Sequence, residues 1–242
     1  MRVPRRKLWI ALGAAGLAAV ALLAVPSIRR ALSSLFVRAG GPRSVQDRLD
    51  EFTGARSRVR AHFKRAGAAY PPARVVLLGL KEEKRLEVYA SGAGSGGFTH
   101  IASLPILAAS GIAGPKLREG DRQVPEGVYP VELLNPNSRF HVALRIGYPN
   151  EFDQRIARQQ GRTNLGGDIM IHGGAASIGC LAMGDPAAED LFVLSAETGI
   201  QNVTIILVPF DMRRRAVPPE LDSDWRRELY SELRARISEL PE

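Results

Sequence analysis

The stretch DIMIHGGAASIGCLAMGD, residues 168–185, holds an apolar run that ends on a histidine, a bend of small residues, and a second apolar run that starts just after a cysteine. Ile169, Met170 and Ile171 read as a strand that delivers His172 at its end. Gly173 and Gly174 permit a sharp turn, because glycine enters backbone conformations closed to other residues. Ser177, Ile178, Gly179 and Cys180 then lead back into Leu181–Met183. A hairpin-like return is expected, placing imidazole and thiol within hydrogen-bond reach.

That pairing has a chemical logic. A free thiol has a pKa near 8.5, so it needs a neighbouring histidine or a positive dipole to supply thiolate at neutral pH. A thiolate attacks carbonyl carbon, and the imidazole returns the proton to the departing amine. Gly179 leaves room for a substrate, and the backbone N–H groups around Gly179 and Cys180 are candidate oxyanion donors. Ser177 is expected to shape this loop. Taken alone, one His beside one Cys is equally compatible with two packed core residues.

Cys180 is the only cysteine. An intrachain disulfide and multi-cysteine zinc sites are therefore excluded. One Cys and one His leave two metal ligands to find, with only His62, His100 and His141 as further histidines. No metal or organic cofactor is expected.

Upstream, Val75–Leu80, Leu86–Ala90, Phe98–Leu107, Val128–Leu134 and His141–Ile146 read as strands, with Val203–Val208 downstream. Between them, Gly114–Gly127 (GPKLREGDRQVPEG) is polar and too long for a tight hairpin, and loops of that kind are often functional. Residues 45–66 predict an amphipathic helix interrupted near Gly54. Asp185 as cap with Pro186 in the first turn starts a helix over 186–198, with Gly199 near its stop. Asp222 or Ser223 caps a last helix whose Trp225, Leu229, Leu233 and Ile237 form a core-contact or docking stripe.

Charge is segregated. Residues 1–48 contain nine Lys or Arg and one acid, which accounts for the whole net charge of +8. The remaining 24 basic and 24 acidic residues cancel. A nucleic-acid footprint needs a basic face on the folded domain, so nucleic acid is not an expected partner. Leu8–Val25 is an uncharged apolar run of 18 residues behind Arg2, Arg5, Arg6 and Lys7. It predicts a transmembrane anchor with a cytoplasmic N-terminus, in preference to a cleaved signal peptide. The globular part then lies outside the cytoplasmic membrane, in the periplasm.

Several motifs in order resemble the YkuD-type L,D-transpeptidase catalytic domain, and its YafK-like branch in particular. They are Gly114–Gln123 (GPKLREGDRQ), Pro125–Tyr129 (PEGVY), Leu134–Ser138 (LNPNS), Ile146–Asn150 (IGYPN), Ile171–Gly173 (IHG) and Ser177–Met183 (SIGCLAM). The resemblance spans about residues 74–208. It implies a mainly β, α+β fold: a β-sandwich or barrel core with flanking helices. The segments implied are a basic stretch 1–7, the anchor 8–25, a helical extension 42–72, a catalytic domain 73–209 and a C-terminal helical extension 210–242.

The resemblance also assigns roles. Cys180 matches the nucleophile, His172 the general base and acid, and Gly173 the position whose carbonyl orients the imidazole. Substrate-binding candidates are Lys116, Arg118, Glu119, Asp121, Gln123, Glu126 and Tyr148. The implied chemistry is cysteine-dependent modification of peptidoglycan stem peptides containing meso-diaminopimelate, by hydrolysis or transpeptidation through a thioester. A wall-linked lipoprotein is an implied partner. A cell-wall-binding module without catalysis is the alternative. Where many relatives carry His and Arg, this chain has Ile178 and Ala182, which bears on the acceptor.

Overall fold

The computed structural model describes residues 41–94, 96–217 and 223–241. The anchor expected at residues 8–25 lies outside them. Among the described residues no helix is long and apolar enough to cross a membrane.

Helices α1 (Val45–Glu51) and α2 (Thr53–Arg65) make up the interrupted helix expected over 45–66. Ser44 opens α1 with a reciprocal capping box: its hydroxyl accepts the Asp47 N–H, and the Asp47 carboxylate accepts the Ser44 N–H. The break falls at Phe52 rather than Gly54. There the ring is buried, and Ala55, Val59 and Phe63 of α2 continue the same apolar face into the core.

The described strands form one mixed sheet in the order β3-β2-β1-β9-β5-β6-β7-β8-β4. They are β1 (Arg74–Leu80), β2 (Arg85–Ser91), β3 (Thr99–Pro105), β4 (Ala108–Ala109), β5 (Gly127–Ser138), β6 (His141–Ile146), β7 (Met170–His172), β8 (Leu181–Ala182) and β9 (Val203–Val208). β3 and β4 stand at opposite edges yet are consecutive in the chain. The Ile106 N–H bonds the Lys84 carbonyl beside β2, and the Leu107 N–H bonds the Ala182 carbonyl in β8. One stretch therefore serves both edges, and the sheet curls back on itself. The coarser expectation holds: the described residues form an α+β architecture, one large mixed sheet with helices.

The sheet is covered on both sides. Val75 and Leu77 point into the main core with Phe63, Phe192, Leu144, Ile171 and Leu181. Val76, Leu78 and Leu80 point the other way, onto Leu229, Tyr230, Leu233 and Ile237 of α5 (Asp224–Ser238). The stripe on the last helix is thus core contact. Each fully buried leucine there contributes about 1.5–3 kcal/mol. Ser44–Glu242 forms one compact unit, so the stretches read as helical extensions pack into the same body as the sheet.

Helix α3 (Glu151–Gln159) was not anticipated. It is started by a second capping box, between Asn150 and Asp153. Helix α4 (Asp185–Thr198) begins one residue earlier than expected, with Gly184 at the N-cap and Asp185 inside the helix. Ser223 stands at the N-cap of α5 without a side-chain cap bond, and Asp222 lies outside the described residues.

Candidate active site

β7 and β8 pair in parallel, with Ile171 beside Leu181 and His172 beside Ala182. The expected hairpin-like return is therefore corrected: the chain leaves β7 at His172, loops through 173–180, and re-enters alongside β7. Ile171 and Leu181 face the main core, so the alternate positions, His172 among them, face away from it. Cys180 precedes Leu181 and falls at the same parity as His172.

His172 is buried, at 2% exposure. Its Nδ1 lies 2.6 Å from the Gly173 carbonyl. A carbonyl only accepts, so Nδ1 carries the proton and Nε2 is left with its lone pair. The ring stacks on Phe140, with centroids 4.6 Å apart and planes 26° apart. A Cβ at Gly173 would meet Asp185 Oδ1 at 2.5 Å and the Phe140 carbonyl at 2.7 Å, so a side chain is excluded there. Asp185 Oδ1 also accepts the Gly174 N–H at 2.8 Å. The residue expected as a helix cap instead braces the turn after His172.

Cys180 is half-buried and reduced. Its Sγ accepts the Met170 N–H at 3.4 Å and lies 3.9 Å from the Asp168 carbonyl. It is not hydrogen-bonded to His172. Burial pushes the thiol above its ordinary pKa; the Met170 N–H works against this, the Asp168 charge adds to it, and Lys116 opposes it. A depressed pKa, expected of a reactive cysteine, is not what this resting arrangement favours.

Residues 73–205 match the family model of the YkuD L,D-transpeptidase catalytic domain. The chain belongs to that family. It is 33% identical to YafK of Escherichia coli (strain K12) over 156 residues, 62% of this chain and 57% of that protein. The chain thus spans somewhat more than half the length of the curated relatives it matches. Among solved structures, the helical cell shape determining protein Pgp2 from Campylobacter jejuni is 25% identical, with a TM-score of 0.45, covering 57% of this chain and 48% of that one. Bd1075 from Bdellovibrio bacteriovorus is 21% identical, with a TM-score of 0.41, covering 66% and 56%.

In this L,D-transpeptidase family member the other site candidates divide clearly. Gly179, with φ of 91°, occupies a conformation suited to glycine. Its N–H already bonds Ser110 Oγ at 2.6 Å. The Cys180 N–H bonds Ser177 Oγ at 3.0 Å, and Ser177 donates to the Cys180 carbonyl at 2.6 Å. Both expected oxyanion donors are thus occupied by serine hydroxyls, and one must be released before it can receive an oxyanion. Ser177 ties the loop to the Cys180 backbone.

Among the substrate-binding candidates, five point into the fold. Lys116 is buried and bonds Asp121 Oδ1 at 2.6 Å and the Arg118 carbonyl at 2.8 Å. Asp121 also accepts the N–H groups of Leu117, Arg118 and Gln123. Burial disfavours its charge, yet Lys116 and those amides hold its pKa below the usual carboxylate range. Gln123 staples Ile112 to Gly114 through its amide. Glu126 is wholly buried, bonded to Lys81 Nζ at 2.9 Å, the Gly114 N–H and the Tyr230 hydroxyl. The Tyr148 hydroxyl donates toward the Lys116 and Leu165 carbonyls. These five build the 114–127 loop, and Arg118 and Glu119 are the exposed candidates on it. Glu119 accepts from Asn164 Nδ2.

Sequence reading missed Ser110, Phe140 and Lys81. Nothing local in the sequence marked them: Lys81 opens the charged run KEEKR and reads as a turn residue. His141 is structural: its Nε2 lies 2.9 Å from Glu189, and its ring packs on Phe52. Among the described residues no group of three or more His, Cys, Asp or Glu is arranged to hold a metal ion.

Proposed function

We propose that this protein is a cysteine-dependent peptidoglycan-modifying enzyme that acts outside the cytoplasmic membrane on stem peptides containing meso-diaminopimelate. The observation that carries the reading is the imidazole of His172. Its Nδ1 is committed to the Gly173 carbonyl, which leaves Nε2 free to take a proton, in a family member whose lone thiol follows eight residues later.

In the proposed reaction, the Cys180 side chain turns from Met170 toward His172. Nε2 takes the thiol proton as sulfur attacks the amide carbonyl carbon. The C–N bond then breaks, and Nε2 returns its proton to the departing amine, leaving a thioester on Cys180. Water attacking the thioester gives hydrolysis, whereas an amine gives a new crosslink; in both cases Nε2 accepts the acceptor's proton, the C–S bond breaks, and that proton passes to the departing Cys180 sulfur. Exposed Arg118 is the candidate partner for a stem carboxylate. The membrane tether at residues 8–25, the segment boundaries and a wall-linked lipoprotein partner belong to the same proposal.

Mass analysis of muropeptides incubated with wild type and Cys180→Ala tests it. Freed stems mean hydrolysis and new crosslinks mean transfer, and the substitution should abolish either. Equal turnover by Cys180→Ala would sink the reading. The raised thiol pKa favours a second reading, a binding module whose cysteine merely packs. That reading predicts saturable binding to sacculi with no change in muropeptide composition.

A further inference from the structure

We infer that Phe140 is a positioning residue for His172, fixing the plane of the imidazole and favouring the imidazolium that forms during attack. This rests on the reading of His172 as the base. The ring of His172 is held in two perpendicular ways. Within its plane, the bond from Nδ1 to the Gly173 carbonyl selects the tautomer. Across its face, the Phe140 phenyl lies at 4.6 Å and 26°, a stacked pair. The first restraint alone leaves the ring free to tilt about that hydrogen bond, and the second removes the tilt.

The device is built, not incidental. Phe140 sits at the tip of the β5–β6 hairpin, where Ser138 pairs with His141 and only Arg139 and Phe140 turn the chain. Such a tip is ordinarily mobile, but here it is tied down. The Phe140 N–H bonds Ser138 Oγ at 3.1 Å. His141 takes a left-handed conformation, φ 75°, which sends its ring to Phe52 and its Nε2 to Glu189 on α4. Gly173 has no side chain where the Phe140 carbonyl passes, and its N–H bonds the Val142 carbonyl at 3.2 Å. The hairpin is therefore locked against the residue that orients the base.

Phe140 is 45% exposed, so one face of its ring meets solvent while the other covers the imidazole. An aromatic face attracts a cation, and the attraction strengthens away from water. In the proposed reaction His172 is cationic while it holds the thiol proton and again while it holds the acceptor's proton. Phe140 thus stabilises a species formed in the reaction more than the resting neutral ring.

The test uses the full chain, with a carbapenem as the thiol-acylating probe and NMR of the His172 ring protons. Wild type, Phe140→Leu and Phe140→Tyr are compared. Leucine keeps the apolar cover without the π face. The Leu variant is expected to lower the maximal acylation rate about ten-fold, with the half-saturating concentration unchanged within about two-fold. The Tyr variant should restore the rate to within about two-fold. Ring-current displacement of the His172 protons should vanish in the Leu variant and persist in the Tyr variant. An unchanged rate in the Leu variant, or a loss confined to half-saturation, overturns the positioning role while leaving the nucleophile intact. Wild type that is never acylated, with the ring-current signature present, overturns the underlying reading and the inference with it.

Discussion

At Cys180 the resting electrostatics and the proposed chemistry pull in opposite directions, which makes the residue's titration informative. Burial raises the thiol pKa, so at neutral pH the folded chain carries less thiolate than an unfolded one. Iodoacetamide should therefore label native Cys180 more slowly at pH 7 than the urea-unfolded chain, with the rate climbing as pH rises through the alkaline range. His172→Ala should slow it further by removing the proton acceptor. Native labelling faster than the unfolded control at pH 7 would contradict the raised resting pKa and leave the nucleophilic role standing. The two central residues were legible because a motif carries them together. Ser110 was not, since it reaches Gly179 across 69 positions and nothing local marks that contact. Nor was Phe140, which reads as an ordinary turn residue until the hairpin sets it over His172.

Secondary elements were legible where the apolar period was strong, as in β1, β9, α4 and α5. They were illegible where polar contacts decide. Helix α3 has few core residues and owes its start to the Asn150–Asp153 box. The side chains of the 114–127 loop looked like recognition groups because they are charged, but Lys116, Asp121 and Glu126 are satisfied inside the fold. Asp153 is the element-scale test. Burial raises its carboxyl to about 6, with the Asn150 N–H, the Tyr129 hydroxyl and Arg162 opposing that rise. The folded state therefore keeps a proton that the unfolded chain loses near pH 4. Stability contributed by this group is full below pH 4 and falls as pH rises to about 6. Asp153→Asn should flatten that decline and make the chain more stable at pH 7 by about 1–3 kcal/mol. Urea unfolding at pH 4 and pH 7 reads it, and a variant less stable than wild type at pH 7 would mean that the charge is needed.

Across the whole molecule, the curled sheet gives the site its rigidity. β1 and β9 are buried on both faces, between the main core and α5, and the ladder passes through β5 and β6 to the short strands that hold His172 and lead from Cys180. The sequence showed most of these strands but not their order, because pairings such as β1 with β9 join segments more than a hundred residues apart. The proposed reaction needs the His172 imidazole and the Cys180 thiol to act together, and covalent capture of substrate tests that most directly. Full-length protein, incubated with a meso-diaminopimelate tetrapeptide and quenched in acid, should gain one acyl mass, mapped by proteolysis to Cys180. His172→Ala should accumulate it at least about 100-fold more slowly. Processing of the peptide with Cys180 unmodified, or an adduct that forms equally fast without His172, would contradict the account.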